Sequence, residues 1–418
     1  MKYFQLIFLF AAPSLFAQPS LSIETCQQMA RVNYPLIQQH ILINLSEQYT
    51  ISNIGKAWLP QIAFNAQATY QSDVVHIPAA MPGLDIPSLS KDQYRATIDV
   101  SQTIYDGGAS RSQRKITEAA NEIDRQNVEV NLYTLRERIN QLFFGILIIN
   151  EQIKQLDILE KDLQTSMSLV NALLKNGTAT RTDVDAVQVE ALNVHQKRTE
   201  FIAFRKAYTE MLAAMIGETL DENVILLKPQ EIILQSETRI TRPEIAFFAR
   251  QKELFDAQSD MIQARNMPRL SLFVQGGYGK PGLNMLSNKF EPFAIGGIRL
   301  NWNFGNLYSA KNDRDLLDIN KTMTVLQQET FEFNTNLQLK QVWNEIQKAK
   351  ELMQRDDEII NLRQNIKKAS ESKYANGAYT INDLVKDINA ESQSRQARIV
   401  HEVQYLMSLY QYRTIAGK

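Results

Sequence analysis

The sequence is short of almost everything that marks an enzyme or a disulfide-stabilised domain. It has one cysteine, Cys26, so no disulfide can form within the chain. Ile23-Glu24-Thr25 before it is not the small, apolar context of a lipid-anchoring site, and Cys26 reads as a buried thiol. The four histidines (His40, His76, His195, His401) sit in no HExxH pattern, and GxSxG and Walker A motifs are missing. These absences exclude the common hydrolase, zinc and nucleotide chemistries, and no cofactor is expected. One GxGxxG, Gly277 to Gly282, follows a strand pattern, but Pro281-Gly282-Leu283-Asn284 opens a loop where dinucleotide binding needs a helix. Charge of one sign is lacking too: 45 Lys and Arg face 46 Asp and Glu, which excludes a nucleic-acid partner. Twelve prolines and sixteen glycines in 418 residues leave long stretches with no breaker, and 44% hydrophobic content makes those stretches helical rather than unfolded.

Long apolar runs are also missing beyond the N-terminus. Lys2 followed by the uncharged run 4–16 and Ala17 reads as a secretory signal, residues 1–17. No later segment reaches the length of a transmembrane helix, so any membrane crossing must be made by strands closed into a barrel.

What the chain does have is a repeat. NYPLI around Pro35 answers TRPEI around Pro243, 208 residues on, and Pro60 of WLPQIAFNAQATY answers Pro268 of NMPRLSLFVQGGY at the same offset. Gly107 of YDGGAS answers Gly305 of NFGNLYS at 198, and Gly177 of LKNGTATRTDVDAV answers Gly377 of YANGAYTINDLVKD at 200. The expected division is therefore a first repeat over 18–217, a connecting segment over 218–240 with a short strand at 224–227, and a second repeat over 241–418. Each repeat reads as helix, strand, loop, strand, long helix, tight turn, helix.

All four strand segments alternate. Ile62, Phe64, Ala66, Ala68 and Tyr70 oppose Gln61, Asn65, Gln67, Thr69 and Gln71; Tyr94, Ala96, Ile98 and Val100 oppose Arg95, Thr97, Asp99 and Ser101. Leu270, Leu272 and Val274 oppose Arg269, Ser271 and Gln275, and Ile298, Leu300 and Trp302 oppose Arg299, Asn301 and Asn303. Lengths near 12 residues and aromatics gathered at the ends (Trp58, Tyr70, Tyr94, Tyr105, Tyr278, Phe293, Trp302, Phe304) favour membrane strands. Arg95, Asp99 and Arg299 are then lumen-facing. Four strands cannot close without leaving edges unsatisfied in lipid, so closure implies an oligomer, and three copies supply an even twelve. The segment 73–92 is expected to be an external loop.

Residues 109–176 and 308–376 contain no proline and predict helices roughly 100 Å long. Leu132, Leu135, Ile139, Leu142, Ile146, Ile149, Ile153 and Leu156 step by three and four, a coiled-coil seam; Phe143, Phe144, Ile148 and Ile158 off the seam predict a second contact face. Asn176-Gly177 and Asn376-Gly377 reverse the chain, and the returning helices start with Thr180-x-x-Asp183 and Thr380-x-x-Asp383, both capping-box-like.

Together these segments resemble the TolC family of outer-membrane efflux proteins, over about residues 22–417. The most specific stretch is YANGAYTINDLVKD, similar to the family's Tyr-x-x-Gly-x-x-Thr-x-x-Asp-Val-Leu-x-Ala turn, with PRLSLFVQGGYG and YDGG in support. The resemblance implies a mainly α fold with a membrane β-barrel: a homotrimer of four strands per protomer, twelve in all, continued by a coiled-coil helical tunnel in the periplasm of a Gram-negative cell. It also implies an outer-membrane channel partnered by a periplasmic adaptor (membrane fusion protein) and an inner-membrane pump of RND or ABC type, with no chemistry of its own. Family gates use tyrosine, arginine and acidic residues near the turns. Here Tyr374 and Asp383 fall on the matching positions, Arg181, Asp183 and Asp185 hold comparable places in the first repeat, and Gly177, Thr180, Gly377 and Thr380 mark the turns where an adaptor would dock. The next acidic position is Lys386, with Asp387 beside it, so the usual acidic ring is altered. A non-transporting periplasmic coiled-coil scaffold with a small soluble sheet is the alternative reading.

Overall fold

The computed structural model describes residues 21–74, 89–221, 224–232 and 239–418; the predicted signal and most of the loop within 73–92 lie outside the described residues. Eight helices and four strands are described, in the order α1 (Ile23–Asn33), α2 (Gln39–Lys56), β1 (Gln61–Tyr70), β2 (Asp92–Tyr105), α3 (Ala109–Tyr133), α4 (Leu135–Lys175), α5 (Arg181–Ile216), α6 (Pro243–Arg265), β3 (Arg269–Lys280), β4 (Glu291–Asn301), α7 (Asn306–Ala375) and α8 (Ile381–Ala416). Ser22 caps α1, its Oγ accepting from the Thr25 amide at 3.1 Å, and Pro35 starts a single 3-10 turn that separates α1 from α2. Pro243 sits at the first position of α6, where its missing N–H costs nothing.

The first long helix differs from expectation in one respect. It lapses at Thr134, whose hydroxyl donates to the Asn131 carbonyl at 2.8 Å, so α3 and α4 are distinct. A threonine that bonds its own backbone competes with the helix ladder. Helix α7 has no such lapse over its 70 residues. The short strand expected at 224–227 is only an isolated bridge between Leu226 and Leu21.

The described chain divides into two compact units. One holds residues up to 37, 131–242 and 332–418; the other holds 38–130 and 243–331. In the first unit, every residue of the predicted seam from Leu135 to Leu156 is buried on α4. Phe143 and Phe144 are fully buried as well, while Ile158 is exposed. Phe144 meets Tyr410 edge-on at 5.6 Å, and the Tyr410 hydroxyl reaches Glu24 at 2.9 Å. Burial pushes that phenol up to about 12, the Glu24 carboxylate adding to the effect. Cys26 lies in the same cluster, its thiol raised by burial to about 11, an inert buried group. A second apolar cluster joins Leu156, Leu163 and Val170 of α4 to Val187 of α5 and Leu384 and Ile388 of α8.

The repeat carries a repeated clasp. Helix α5 ends at Gly217 (φ 74°), and the Asn33 amide packs against that glycine and donates to the Ala214 and Met215 carbonyls. Helix α8 ends at Gly417 (φ 93°), and Thr241, the counterpart of Asn33, bonds there through its amide to Ala416 at 2.8 Å and through its hydroxyl to the Gly417 carbonyl at 3.0 Å.

In the second unit the strands form one antiparallel sheet in the order β1-β2-β3-β4. Register places Ile62, Val100, Val274 and Gly296 side by side, and Ala63, Asp99, Gln275 and Ile295 on the opposite face. The helices of this unit form a row in the same order. Arg125 of α3 binds Asn44 and Glu47 of α2, Lys115 of α3 binds Asp260 of α6, and Lys321 of α7 binds Asp256 of α6. Where strand meets helix, Asp106 accepts from the Gly108 and Ser110 amides, and Gly107 (φ 71°) lies so close to Met267 that a Cβ would stand 2.6 Å from the methionine Cβ.

Two glycines with the same backbone conformation test that close approach. Gly107→Ala meets Met267, whereas Gly177→Ala (φ 75°) faces open space. Both lose about 1–2 kcal/mol to the left-handed conformation, so thermal unfolding in detergent should show a clearly larger fall for Gly107→Ala. Equal falls would disprove the tight turn.

Candidate functional sites on the sheet and at the hairpin turns

The sheet has one apolar face, and among the described residues of its unit nothing covers it. Ile62, Phe64 and Ile298 are 73, 71 and 67% exposed, and Tyr70, Ile98, Val274, Tyr278 and Leu300 are exposed on the same side. A face of this size is untenable in water and stable against hydrocarbon. Among the described residues no helix is long and apolar enough to cross a membrane.

The opposite face is polar and more closely built. Phe293 of β4 lies directly across from Gly277 of β3, and Phe273 of β3 directly across from Gly297 of β4. Each ring fills the space a side chain would take, a Cβ on Gly277 falling 2.4 Å from the Phe293 ring. Arg95 lies over Phe293 at 4.8 Å and Arg299 over Phe273 at 4.7 Å. Asp99 accepts from Asn65 Nδ2 at 2.6 Å, Thr97 Oγ1 at 3.0 Å and Gln275 Nε2. Alternation identified Arg95, Asp99 and Arg299 as one face, but not the Phe–Gly pairs, which depend on cross-strand register.

At the turns, Gly177 and Gly377 both take positive φ in open space. Thr180 and Asp183 form a reciprocal capping box: the Asp183 amide donates to Thr180 Oγ1 at 3.3 Å, and the Thr180 amide to Asp183 Oδ2 at 2.7 Å. Thr380 caps α8 by accepting from the Asp383 amide at 3.2 Å, while its hydroxyl donates to Asp383 Oδ2 at 2.6 Å. Arg181 pairs with Asp185 at 3.5 Å in solvent. Tyr374 is 7% exposed, packed in the second apolar cluster, and its hydroxyl is buried without a hydrogen-bond partner. Burial raises its pKa, and the Asp183 carboxylate pushes the same way, which places Asp183 and Tyr374 in one electrostatic neighbourhood.

Sequence reasoning missed two features here. Asp387 is tied inward, accepting from Ser370 Oγ at 2.6 Å and Tyr379 Oη at 3.4 Å, with Lys373 lying over the Tyr379 ring, while Lys386 is exposed. Lys367 of α7 pairs with Asp162 of α4. Ser370 stands six residues before Asn376 and Asp387 ten after Gly377, so sequence spacing gave no signal for the pair.

Residues 27–218 match the family described as outer membrane efflux protein. The match spans 192 of the chain's 418 residues. Similarity of fold to solved outer-membrane channels extends across nearly the whole chain. The outer-membrane channel CmeC of Campylobacter jejuni matches with a TM-score of 0.63 at 12% identity, over 94% of this chain and 85% of that one. The open state of the Neisseria gonorrhoeae channel MtrE gives 0.67 at 12% identity over 94% and 89%. The outer membrane protein VceC of Vibrio cholerae gives 0.59 at 14% over 94% and 96%. No curated protein sequence matches the chain. The fold is thus that of outer-membrane channels, and residues 27–218 carry the pattern of the efflux-protein family.

Caps and buried phenols fail differently. Thr180→Ala and Thr380→Ala should each cost about 1 kcal/mol. Tyr374→Phe removes an unpaired buried hydroxyl and should leave stability unchanged or raise it by about 1 kcal/mol. Thermal melts of the three variants measure this, and a marked loss in Tyr374→Phe would show that the hydroxyl has a partner.

Proposed function

We propose that the chain is the outer-membrane duct of a tripartite efflux or type I secretion system, assembled as a homotrimer. The observation that carries this reading is the open row of the second unit. The sheet ends in two unpaired edges, β1 and β4, and the helical row ends in α2 and α7. Both helical edges carry exposed apolar stripes in heptad spacing: Leu42, Leu45 and Tyr49 on α2, and Leu316, Ile319, Met323 and Leu326 on α7. Three copies joined edge to edge satisfy the strand groups and bury both stripes, giving twelve strands around one lumen. A scaffold that stayed in water would have to cover the apolar sheet face instead.

Cargo then passes from a periplasmic adaptor and an inner-membrane pump, of RND or ABC type, through the tunnel to the exterior. The turns at Gly177, Thr180, Gly377 and Thr380 are the docking points for the adaptor. Tyr374, Asp383, Arg181, Asp183 and Asp185, repeated around a three-fold axis, form the periplasmic gate.

In a Cys26→Ser background, Leu45→Cys combined in turn with Leu316→Cys, Ile319→Cys and Met323→Cys should give oxidised trimers on denaturing gels for at least one pair. Monomers throughout, from protein that still extracts as folded channel, would rule out the edge-to-edge trimer.

The gate has its own test. Asp383→Ala with Tyr374→Phe removes one charged hydrogen-bond acceptor, about 1.5–3 kcal/mol, enough to move a closed–open balance roughly tenfold. Single-channel conductance in planar bilayers should rise. Unchanged conductance in a correctly assembled double variant removes both residues from the gate.

A further inference from the structure

We infer that the polar wall of the sheet is an anion-preferring filter, with Arg95 and Arg299 as its working groups and carboxylate-bearing organic anions as the cargo class it favours. This rests on the trimeric duct reading, which turns the polar face toward the lumen.

The charges on that face do not cancel. Within the paired strands it carries Arg95, Arg269 and Arg299 against Asp99 and Glu291. Three copies leave a surplus of three positive charges in a narrow wet channel, where low-dielectric walls concentrate the field. The two acids are also occupied in a way the arginines are not. Asp99 accepts from three neutral donors, Asn65, Thr97 and Gln275, and Glu291 accepts from Ser287 Oγ at 2.6 Å.

The arginines are exposed and held by rings rather than by carboxylates. Arg95 lies on Phe293, which is seated against Gly277, and Arg299 lies on Phe273, which is seated against Gly297. A ring fixes one guanidinium face without using its N–H groups, so the fork stays available for a carboxylate. Register sets the two stacks at different heights. Arg299 is level with Ser271 and Thr103, and Arg95 is level with Gln67 and Gly279. A passing anion therefore meets two rings of three weak sites, the arrangement that permits both entry and release. Arg269, beside Asn301 at the strand end, adds charge near the Arg299 level.

The test is the reversal potential of purified channels in planar bilayers under a potassium chloride gradient, with Arg95→Gln/Arg299→Gln and Arg95→Lys/Arg299→Lys beside the parent. The chloride-to-potassium permeability ratio should fall about twofold or more in the glutamine pair and stay near the parental value in the lysine pair, because field strength follows charge. Potassium benzoate in place of chloride should lower parental conductance by transient occupancy, and do so less in the glutamine pair. A glutamine pair that conducts with the parental ratio overturns the filter while leaving the duct intact. An equal fall in both pairs overturns the assignment to charge. A parent that does not conduct at all overturns the duct reading and the filter with it. Should the glutamine pair fail to assemble, Arg299→Gln alone, on the edge strand, should show a smaller shift of the same sign, and no shift counts against the filter.

Discussion

An antiparallel sheet with two open edges and an uncovered apolar face cannot end where this chain's sheet ends. Each edge strand carries backbone groups that need partners, and in hydrocarbon water cannot supply them. The apolar side chains of β1 to β4 make water an equally poor environment for the face. In the proposed duct both demands are met because the sheet joins copies of itself edge to edge. The helical row of the same unit, which follows the strand order, inherits that arrangement and needs only heptad-spaced stripes on its outer helices to continue it.

The inner face obeys a different constraint. In the proposed duct it must hold polar side chains in a wet channel while keeping a regular, twisted sheet, and glycines such as Gly277 and Gly297 weaken strands by leaving nothing to pack. Phe273 and Phe293 restore that packing from the neighbouring strand. They also give Arg95 and Arg299 a surface to lie on, so the residues that stiffen the wall also place its charges.

Much of this is legible in the sequence. Period-two alternation separates Arg95, Asp99 and Arg299 from Ile62, Phe64 and Ile98 because a strand has only two faces. The offsets between Pro35 and Pro243, and between Gly177 and Gly377, set out the element order, since those residues stand where a helix must begin or end. What escaped were features set by register or by packing between distant segments. The Phe–Gly pairs depend on which residues of β3 and β4 stand opposite. The lapse at Thr134 comes from a side-chain hydroxyl competing with the backbone ladder for a carbonyl. The burial of Tyr374 depends on α4, α5 and α8 meeting around it, and the inward tie of Asp387 on the closing of a turn. A motif names the residue type at such places; only packing decides whether the group faces solvent.

The clasp at the repeat ends has a consequence for how such a chain can come to exist. Asn33 lies near the start of the first repeat and Gly217 at its end, and they touch; Thr241 and Gly417 do the same in the second. A unit whose first and last turns meet can be copied head to tail without stretching any internal connection. The copy needs only a linker long enough to step from one clasp to the next, and 218–240 is that linker. Duplication of this kind halves the number of chains needed to close a ring, and so converts a problem of assembly into one of chain length.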